Sequence, residues 1–350
     1  GGIIPPGYDP KKFNLENGVL YRDGELVEQA CQPTAELNCE QTYSQSGLFH
    51  NPPTPIDWDD ESTWQSGIPY NLADLDQTNP QTKDYLWGAV EKWLGFGVDG
   101  FRIDAAKNIY PEYLVELEQK LLEKKPDIFL ILEYYDGGVF EKGFKPGVVP
   151  PSVELLEDMP DSAMFDFSFA TAARDYFSDK MDSLGTPYVL ENVLDEQAEY
   201  NLLGHRSADL VNFINNHDIP RFLSLKGSSL ARYVAAIKLL FLSRGAPTLL
   251  YGDEIALAIT ADSPHWQDSN NRLKDAEWSR IMMEWDHTNM APYSSMLDIS
   301  KKLIALRKQH PFLSTGESRF LQAENLTHAL QGTSYLAMER TAKDRSAYAY

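Results

Sequence analysis

The segment LWGAVEKWLGFGVDGFRIDAAKNIYPEYLVELEQKLLEKKPDIFLILE, residues 86–133, contains the pattern that decides the fold class. Apolar residues recur at helical spacing over 86–94, and VDGFRI (98–103) then has the apolar, β-branched character of a short buried strand. A second helical pattern begins near Pro111 and leads into the apolar run IFLIL (128–132). This alternation predicts a parallel sheet covered by helices.

The alternation continues downstream of this segment. Strands are predicted in MFDFSF (164–169), DLVNFI (209–214) and PTLLY (247–251), and helices over 169–181, 229–244 and 294–309. Five strands alternating with helices fit either a doubly wound sheet or a barrel, and periodicity alone leaves both open. After the last helix, short segments with strand character predict an antiparallel β region.

The first 80 residues have a different composition. They are rich in Pro, Gly, Asn and Asp, which predicts a loop-dominated insertion that contains short strands. Cys31 and Cys39 lie eight positions apart in this polar stretch. They form either a local disulfide in an exported protein or two free thiols, and the spacing leaves both open.

Composition excludes several classes of partner. The chain has 350 residues, of which 43% are hydrophobic, so it can bury a sizeable core. Its net charge of −21 repels nucleic acid and anionic membrane surfaces. No apolar run approaches the roughly 18 residues that a membrane span needs. A neutral, polyhydroxylated substrate is compatible with such a surface.

A carboxylate follows three of the predicted strands: Asp104 after GFRI, Glu133 after FLIL, and Asp218 after FINNH. In barrel enzymes, catalytic groups gather at the carboxyl ends of the strands. Cleavage of a glycosidic bond needs one protonated carboxyl group and one ionised carboxylate. A single Asp after a strand can also cap the next helix, so the indication comes from all three together.

The first two carboxylates have different sequence surroundings. Arg102 lies two residues before Asp104, on the same face of a strand, where a guanidinium keeps a carboxylate ionised. Glu133 follows four apolar residues and precedes Tyr134 and Tyr135, a less polar setting that raises a carboxyl pKa. The pattern predicts a nucleophile at Asp104 and an acid at Glu133.

These motifs resemble the conserved regions of the α-amylase clan, glycoside hydrolase family thirteen, and are nearest to cyclodextrin glucanotransferases and related bacterial amylases. The matching stretches are NLADLD (71–76), GFRIDAAK (100–107), ILEYYDG (131–137), FINNHDIPRF (213–222) and GAPTLLYGDE (245–254). The resemblance implies that Asp104 is the nucleophile, Glu133 the acid/base and Asp218 the carboxylate that stabilises the transition state.

The same resemblance implies further site residues. Those expected to bind substrate are Arg102, His217, Lys107, Asn108, Tyr135, Tyr70, Trp58 and Arg221. Calcium is the implied cofactor, held by the Asp74 carboxylate and the main-chain carbonyl of Asn108. This chain has Lys107 and Asn108 where the family usually has Lys-His, so an imidazole contact on the acceptor side is lost.

The resemblance also implies the architecture, a partial (β/α)8 TIM barrel comprising strands 4 to 8. Residues 1–75 are expected to be the late part of a loop-rich inserted domain, 76–312 the barrel, and 313–350 the start of a C-terminal antiparallel β domain. The family's first conserved region, a strand ending in Asn-His, does not occur in the sequence. The chain is therefore expected to be a piece of a longer enzyme, truncated at both ends.

The expected activity is retaining hydrolysis of internal α-1,4 bonds in starch and maltooligosaccharides by an extracellular or periplasmic monomer. A cyclodextrin-forming or other transglycosylase is the alternative, because water and a sugar hydroxyl compete for the same intermediate. A non-catalytic amylase-like binding subunit is expected to lose at least one of the three carboxylates, and all three are present.

Overall fold

The structure is a computed structural model. It describes residues 13–16, 19–22, 25–29, 48–50, 54–57, 60–68, 74–135, 151–178, 190, 193, 209–225, 227–258, 279–286, 292–320, 338–341 and 347–349. Within it the chain divides into two compact units, Gly1–Glu133 and Tyr134–Tyr350. The predicted site residues Trp58 and Tyr70 and both cysteines lie outside the described residues.

The first unit opens with short strands. An antiparallel sheet consists of β1 (Phe13–Glu16), β2 (Val19–Arg22) and β3 (Glu25–Gln29), and a two-residue parallel pair consists of β4 (Thr54–Pro55) and β5 (Gly67–Ile68). Short strands among loops are what the composition of this region predicts. The predicted domain bounds at residues 75 and 312 stay predictions.

The segment that decides the fold class forms helix α1 (Pro80–Leu94), strand β6 (Gly100–Ile103), helix α2 (Pro111–Lys124) and strand β7 (Phe129–Leu132). β6 and β7 pair in parallel. A proline occupies the first turn of each helix, where a missing N–H breaks no intrahelical bond. The predicted helix–strand alternation is confirmed here.

Helix α2 has one buried face. Leu114 and Leu121 are fully buried, as is Leu132 of β7. Each such leucine contributes about 1.5 to 3 kcal/mol of apolar burial. The leucine spacing that predicts an amphipathic helix thus gives α2 one buried face, and β7 ends in a buried residue just before Glu133.

The second unit contains the remaining parallel strands. Its elements are α3 (Pro151–Asp158), β8 (Ser162–Asp166), α4 (Phe167–Phe177), β9 (Leu210–Phe213), α5 (Leu230–Leu242), β10 (Ala246–Thr248), α6 (Tyr293–Gln309) and α7 (Phe312–Thr315). β9 pairs in parallel with β8 and with β10. The core of the unit includes Phe169, Phe222, Tyr233, Ile237 and Leu240.

Two predicted strands are too long. MFDFSF ends as a strand at Asp166, whose side chain accepts a hydrogen bond from the Phe169 amide at 2.8 Å and so caps α4. PTLLY ends as a strand at Thr248. The Leu250 amide donates to the Asp253 carboxylate at 2.9 Å and turns the chain. The predicted helix over 169–181 accordingly begins at Phe167 and ends at Phe177.

The C-terminal region is antiparallel, as predicted. Strands β11 (Glu317–Phe320), β12 (Met338–Thr341) and β13 (Ala347–Ala349) form one sheet in chain order. In the described part of the chain, no helix combines the length and the apolar character that crossing a bilayer requires.

Candidate active site

Asp104 and Glu133 lie at the same edge of the β6–β7 pair. Ile103 and Leu132 are register partners, so the residues that follow them emerge side by side. The Glu133 amide donates to the Ile103 carbonyl at 2.9 Å, and the Ala106 amide donates to the Glu133 carbonyl at 2.9 Å. The backbone therefore fixes both carboxylates at one level, as predicted from the strand ends.

Arg102 bridges the two carboxylates. Its Nη1 is 2.5 Å from Asp104 Oδ1, and its Nη2 is 2.7 Å from Glu133 Oε1. The predicted contact between Arg102 and Asp104 is thus confirmed. A rigid guanidinium fork that contacts one oxygen of each group fixes their mutual orientation better than a flexible ammonium would.

The environments of the two carboxylates differ in the predicted sense. The Glu133 side chain is 15% exposed, whereas that of Asp104 is 75% exposed. Burial raises the pKa of Glu133, and the hydrogen bond with Asp104 and the negative charge of Asp104 raise it further. The charge of Arg102 and the hydrogen bond from the Ala105 amide lower this pKa. A buried carboxyl group with a raised pKa is suited to donate a proton at neutral pH.

The residue that follows Asp104 adopts an unusual backbone conformation. Ala105 has φ 47° and ψ 40°, the left-handed region. An L-residue in this region costs about 1 to 2 kcal/mol. The turn points the Ala105 amide toward Glu133 Oε2, at 3.4 Å. Strain of this kind concentrates at functional sites, where the surrounding structure enforces it.

The turn after Asp104 is tied to residues 64 and 65. The Lys107 ammonium lies 3.6 Å from the centre of the Trp64 ring, a cation–π contact. Gln65 Nε2 donates to the Lys107 carbonyl at 3.2 Å, and Asn108 Nδ2 donates to the Trp64 carbonyl at 3.0 Å. The side chains of Lys107 and Asn108 therefore brace this turn, and their substrate contacts stay predictions.

Asp74 has a setting that fits a cation. Its side chain is 11% exposed, and burial together with Asp76 raises its pKa to about 7. Its Oδ2 is buried and has no hydrogen-bond partner among the described residues, although His50 Nε2 lies 3.6 Å away. A buried carboxylate oxygen is a ligand that calcium prefers. In the described ranges, no three acidic, His or Cys side chains are grouped to hold a metal.

Asp218 lies in the loop that follows β9. Its amide donates to Asn216 Oδ1 at 2.9 Å, which closes a tight turn. Its carboxylate contacts His217 Nε2 at 3.1 Å and Arg280 Nη2 at 2.8 Å. His217 and Asp218 are both about half exposed, so this acidic group is available at the surface of the second unit.

Arg280 is not among the residues predicted for the site. Besides its contact with Asp218, its Nε donates to the His217 carbonyl at 3.0 Å. A lone arginine 62 positions along the chain shows no periodicity or spacing that points to Asp218. Only the folded chain reveals this pairing.

Arg221, predicted to bind substrate, does not face solvent. Its side chain is 0% exposed, and its guanidinium lies 3.4 Å from the fully buried Asp253. Its Nε and Nη2 donate to the carbonyls of Ser279 and Tyr251, at 3.0 and 2.8 Å. A side chain held inward in this way supports the loop, and the prediction of direct substrate contact by Arg221 is wrong.

Tyr135 is the predicted aromatic contact that the structure describes. It is 59% exposed, and its ring packs edge-on against Phe167 with centroids 4.9 Å apart. An aromatic ring fixed at one side and open to solvent can stack on an apolar sugar face.

Comparisons with known proteins identify the family to which the chain is similar. Residues 28–316 match the family described as Alpha amylase, catalytic domain. The chain is 27% identical over 318 residues to a cyclomaltodextrin glucanotransferase of Thermoanaerobacterium thermosulfurigenes, covering 90% of the chain and 38% of that protein. It is 29% identical over 307 residues to one of Paenibacillus macerans, covering 87% and 36%.

A solved structure is similar over most of the chain. The crystal structure of CldA, described as a cyclomaltodextrin glucanotransferase with a three-domain ABC distribution, has a TM-score of 0.67 and 25% identity, and the match covers 93% of this chain and 57% of that one. The predicted fold, part of an amylase-type (β/α)8 barrel, is confirmed. The chain spans less than two-fifths of the length of each of the two glucanotransferases named above.

Proposed function

We propose that this chain, which belongs to the α-amylase family by its catalytic domain, supplies the catalytic groups of a retaining α-glucan glycosidase. The supporting observation is the Arg102 bridge, which holds Asp104 and Glu133 at 2.5 and 2.7 Å from one guanidinium. One carboxylate is exposed and the other is largely buried, so a pair of similar groups can serve two different roles.

In the first step, Glu133 donates its proton to the glycosidic oxygen as the bond from the anomeric carbon to that oxygen breaks. An oxygen of Asp104 forms a bond to the anomeric carbon, which gives a covalent glycosyl intermediate. The contact with Arg102 orients Asp104 for this attack. The departing sugar leaves with the proton of Glu133 on its new hydroxyl group.

In the second step, Glu133 acts as a base. It takes a proton from water, the water oxygen bonds to the anomeric carbon, and the bond to Asp104 breaks. Two inversions at the same carbon give net retention. Asp218, with His217 beside it, is proposed to stabilise the positive charge that develops on the sugar ring. A sugar ring of the α-glucan chain is proposed to stack on Tyr135.

Transglycosylation is the second candidate, and the descriptions of several relatives support it. Two relatives and one solved structure are described as cyclomaltodextrin glucanotransferases. In that reaction a sugar hydroxyl replaces water in the second step, and the roles of the three carboxylates stay the same. Incubation with starch followed by chromatography separates the two functions, because only transglycosylation produces cyclic or longer glucans.

Calcium is proposed as a structural cofactor. Asp74 and the main-chain carbonyl of Asn108 would hold it, and the orphaned buried oxygen of Asp74 is the observation that fits. Bound there, the ion supplies positive charge to buried oxygens and so stabilises the fold. We further propose a secreted protein that acts as a monomer on starch-like glucans.

The test of the proposed function uses matched amide variants. Asp104→Asn and Glu133→Gln should each lower turnover of a maltooligosaccharide by roughly a thousandfold or more while the circular dichroism spectrum stays unchanged. Asp127→Asn is the control, because Asp127 is exposed and precedes β7 at its other end. Normal turnover by either active-site variant would end the assignment.

A further inference from the structure

A buried polar network lies beneath the loop that carries Asp218. Asp253 and Arg221 are 1% and 0% exposed, with Nη1 of the arginine 3.4 Å from Oδ1 of the aspartate. Burying an ion pair costs several kcal/mol of desolvation, and apolar replacements often stabilise a protein equally well. The pair therefore calls for an explanation beyond stability.

Asp253 anchors the start of the loop through Asn215. Asp253 Oδ1 accepts a hydrogen bond from Asn215 Nδ2 at 2.8 Å. Asn215 Oδ1 in turn accepts from the Phe222 amide at 2.7 Å. One side chain thus ties together the two ends of the 215–222 loop and fixes both to the buried carboxylate.

Arg221 anchors a second segment against the same loop. Its Nε donates to the Ser279 carbonyl at 3.0 Å. Ser279 Oγ donates to the His217 carbonyl at 2.5 Å, and the next residue, Arg280, reaches Asp218 Oδ1 at 2.8 Å. The buried guanidinium of Arg221 therefore holds the segment whose Arg280 contacts the Asp218 carboxylate.

We propose that Asp253 and Arg221 are positioning residues that fix the Asp218 carboxylate from two directions, through Asn215 and through Ser279 with Arg280. This inference rests on the proposed function, since it assigns the buried pair to the placement of Asp218. The motif GAPTLLYGDE (245–254), which contains Asp253, thereby gains a role, and all residues that take part in this role lie in the second unit.

We call Asp253 and Arg221, with the residues through which they fix Asp218, the clamp. The charge state of the pair suits a clamp that operates near neutral pH. Burial raises the pKa of Asp253 to about 6, and hydrogen bonds from Asn215, Tyr233 and the Leu250 amide, with the charge of Arg221, oppose the rise. Above that pH the carboxylate is ionised and accepts from all of its partners. An amide at this position would instead place N–H donors against donors.

The first measurement is hydrogen exchange on the protein at its full natural length. Asp253→Asn should speed exchange of the 216–222 amides at least tenfold while peptides from α4 and α5 keep their protection. Asp158→Asn is the matched control, an exposed aspartate in the same unit, and should change neither. Unchanged exchange over 216–222 in Asp253→Asn would overturn the proposal.

The second measurement is a double-mutant cycle in activity. Asp253→Asn should lower kcat roughly 100-fold, the loss that a displacement of about 1 Å brings. In an Asp218→Asn background the same change should have no further effect, because the clamp acts only through Asp218. An equal loss in both backgrounds would indicate general damage and overturn the proposal.

A milder variant covers the case in which Asp253→Asn does not fold. Ser279→Ala removes only the hydroxyl bond to the His217 carbonyl and should lower kcat severalfold in the wild-type background but not with Asp218→Asn. An equal effect in both backgrounds would count against the clamp. Full activity of Asp218→Asn would instead overturn the proposed function, and hydrogen exchange would still decide whether the clamp exists.

Discussion

Replacing Arg102 by methionine should raise the pKa of Glu133 and shift the basic limb of the pH–rate profile to higher pH. Burial already raises this pKa, and the Arg102 charge opposes the rise. The guanidinium lies 2.7 Å from Glu133 and 2.5 Å from Asp104. Methionine keeps most of the aliphatic length and removes the charge, so the influence of Asp104 on Glu133 is no longer countered.

The size of the shift follows from Coulomb's law. Two unit charges about 4 Å apart interact by about 1 kcal/mol in water and about 4 kcal/mol at an effective dielectric constant near 20. The Arg102 side chain is 34% exposed and that of Glu133 is 15% exposed, so the interaction lies between these limits. Since one pKa unit corresponds to about 1.36 kcal/mol, a shift of about one to two units is expected.

The assay is kcat/KM against pH with a chromogenic maltooligosaccharide. Glu133 must be protonated to donate, so activity falls as pH rises through its pKa, and the basic limb reports that group in the free enzyme. The variant should lose roughly 100-fold at its optimum, because Asp104 loses the partner that orients it. Its basic limb should nevertheless lie about one to two units higher than in the wild type.

Two controls isolate the charge. Arg102→Lys keeps a cation but loses the fork, so its limb should move less. Lys125→Met removes a different cation, one that pairs with the exposed Asp99 at 2.7 Å at the opposite end of β6, and should leave the limb in place. A basic limb in Arg102→Met that stays in place or moves to lower pH would show that the Arg102 charge does not lower the pKa of Glu133.

Three further predictions concern stability and roles. In a urea titration, Gly252→Ala should lower the free energy of unfolding by more than about 1 kcal/mol, because Gly252 has φ +85° and a Cβ there would lie 2.5 Å from Leu257. Gly88→Ala in α1 is the control, because a Cβ there meets nothing within 4 Å. It should raise the free energy of unfolding by about 0.5 to 1 kcal/mol. Calcium at about 100 times its Kd should stabilise the protein by about 2.7 kcal/mol in thermal melts. Asp74→Asn should abolish that gain, whereas the exposed-site control Asp57→Asn should keep it, and equal gains in both would remove Asp74 from the calcium site. Glu133→Gln should slow cleavage of a maltosyl substrate with a poor leaving group far more than that of a glycosyl fluoride, which needs no proton donor; equal losses on both substrates would exclude Glu133 as the acid.

The strand ends could be predicted because local pattern and fold agree there. An apolar run followed by a carboxylate predicts both Asp104 and Glu133, and the observed β6 and β7 end one residue before each of them. The period-2 spacing of Arg102 and Asp104 similarly predicts their contact. These features depend on neighbours within a few residues along the chain.

Features that depend on distant contacts could not be predicted. The aromatic residues of MFDFSF favour a strand, but the Asp166 cap begins a helix at Phe167. Arg221 has the same sequence appearance whether it faces substrate or core, and only its contact with Asp253 decides between them. Arg280 meets Asp218 across 62 positions, a distance at which no local pattern carries information.

Trapping the covalent intermediate tests directly whether Asp104 attacks the sugar while Glu133 donates the proton. A 5-fluoro-α-glycosyl fluoride forms such an intermediate quickly and releases it slowly, so the labelled peptide can be sequenced by mass spectrometry. We expect a single label on Asp104 that accumulates further in Glu133→Gln. A label on another residue, or turnover that inverts the anomeric centre without any label, would exclude Asp104 as the nucleophile.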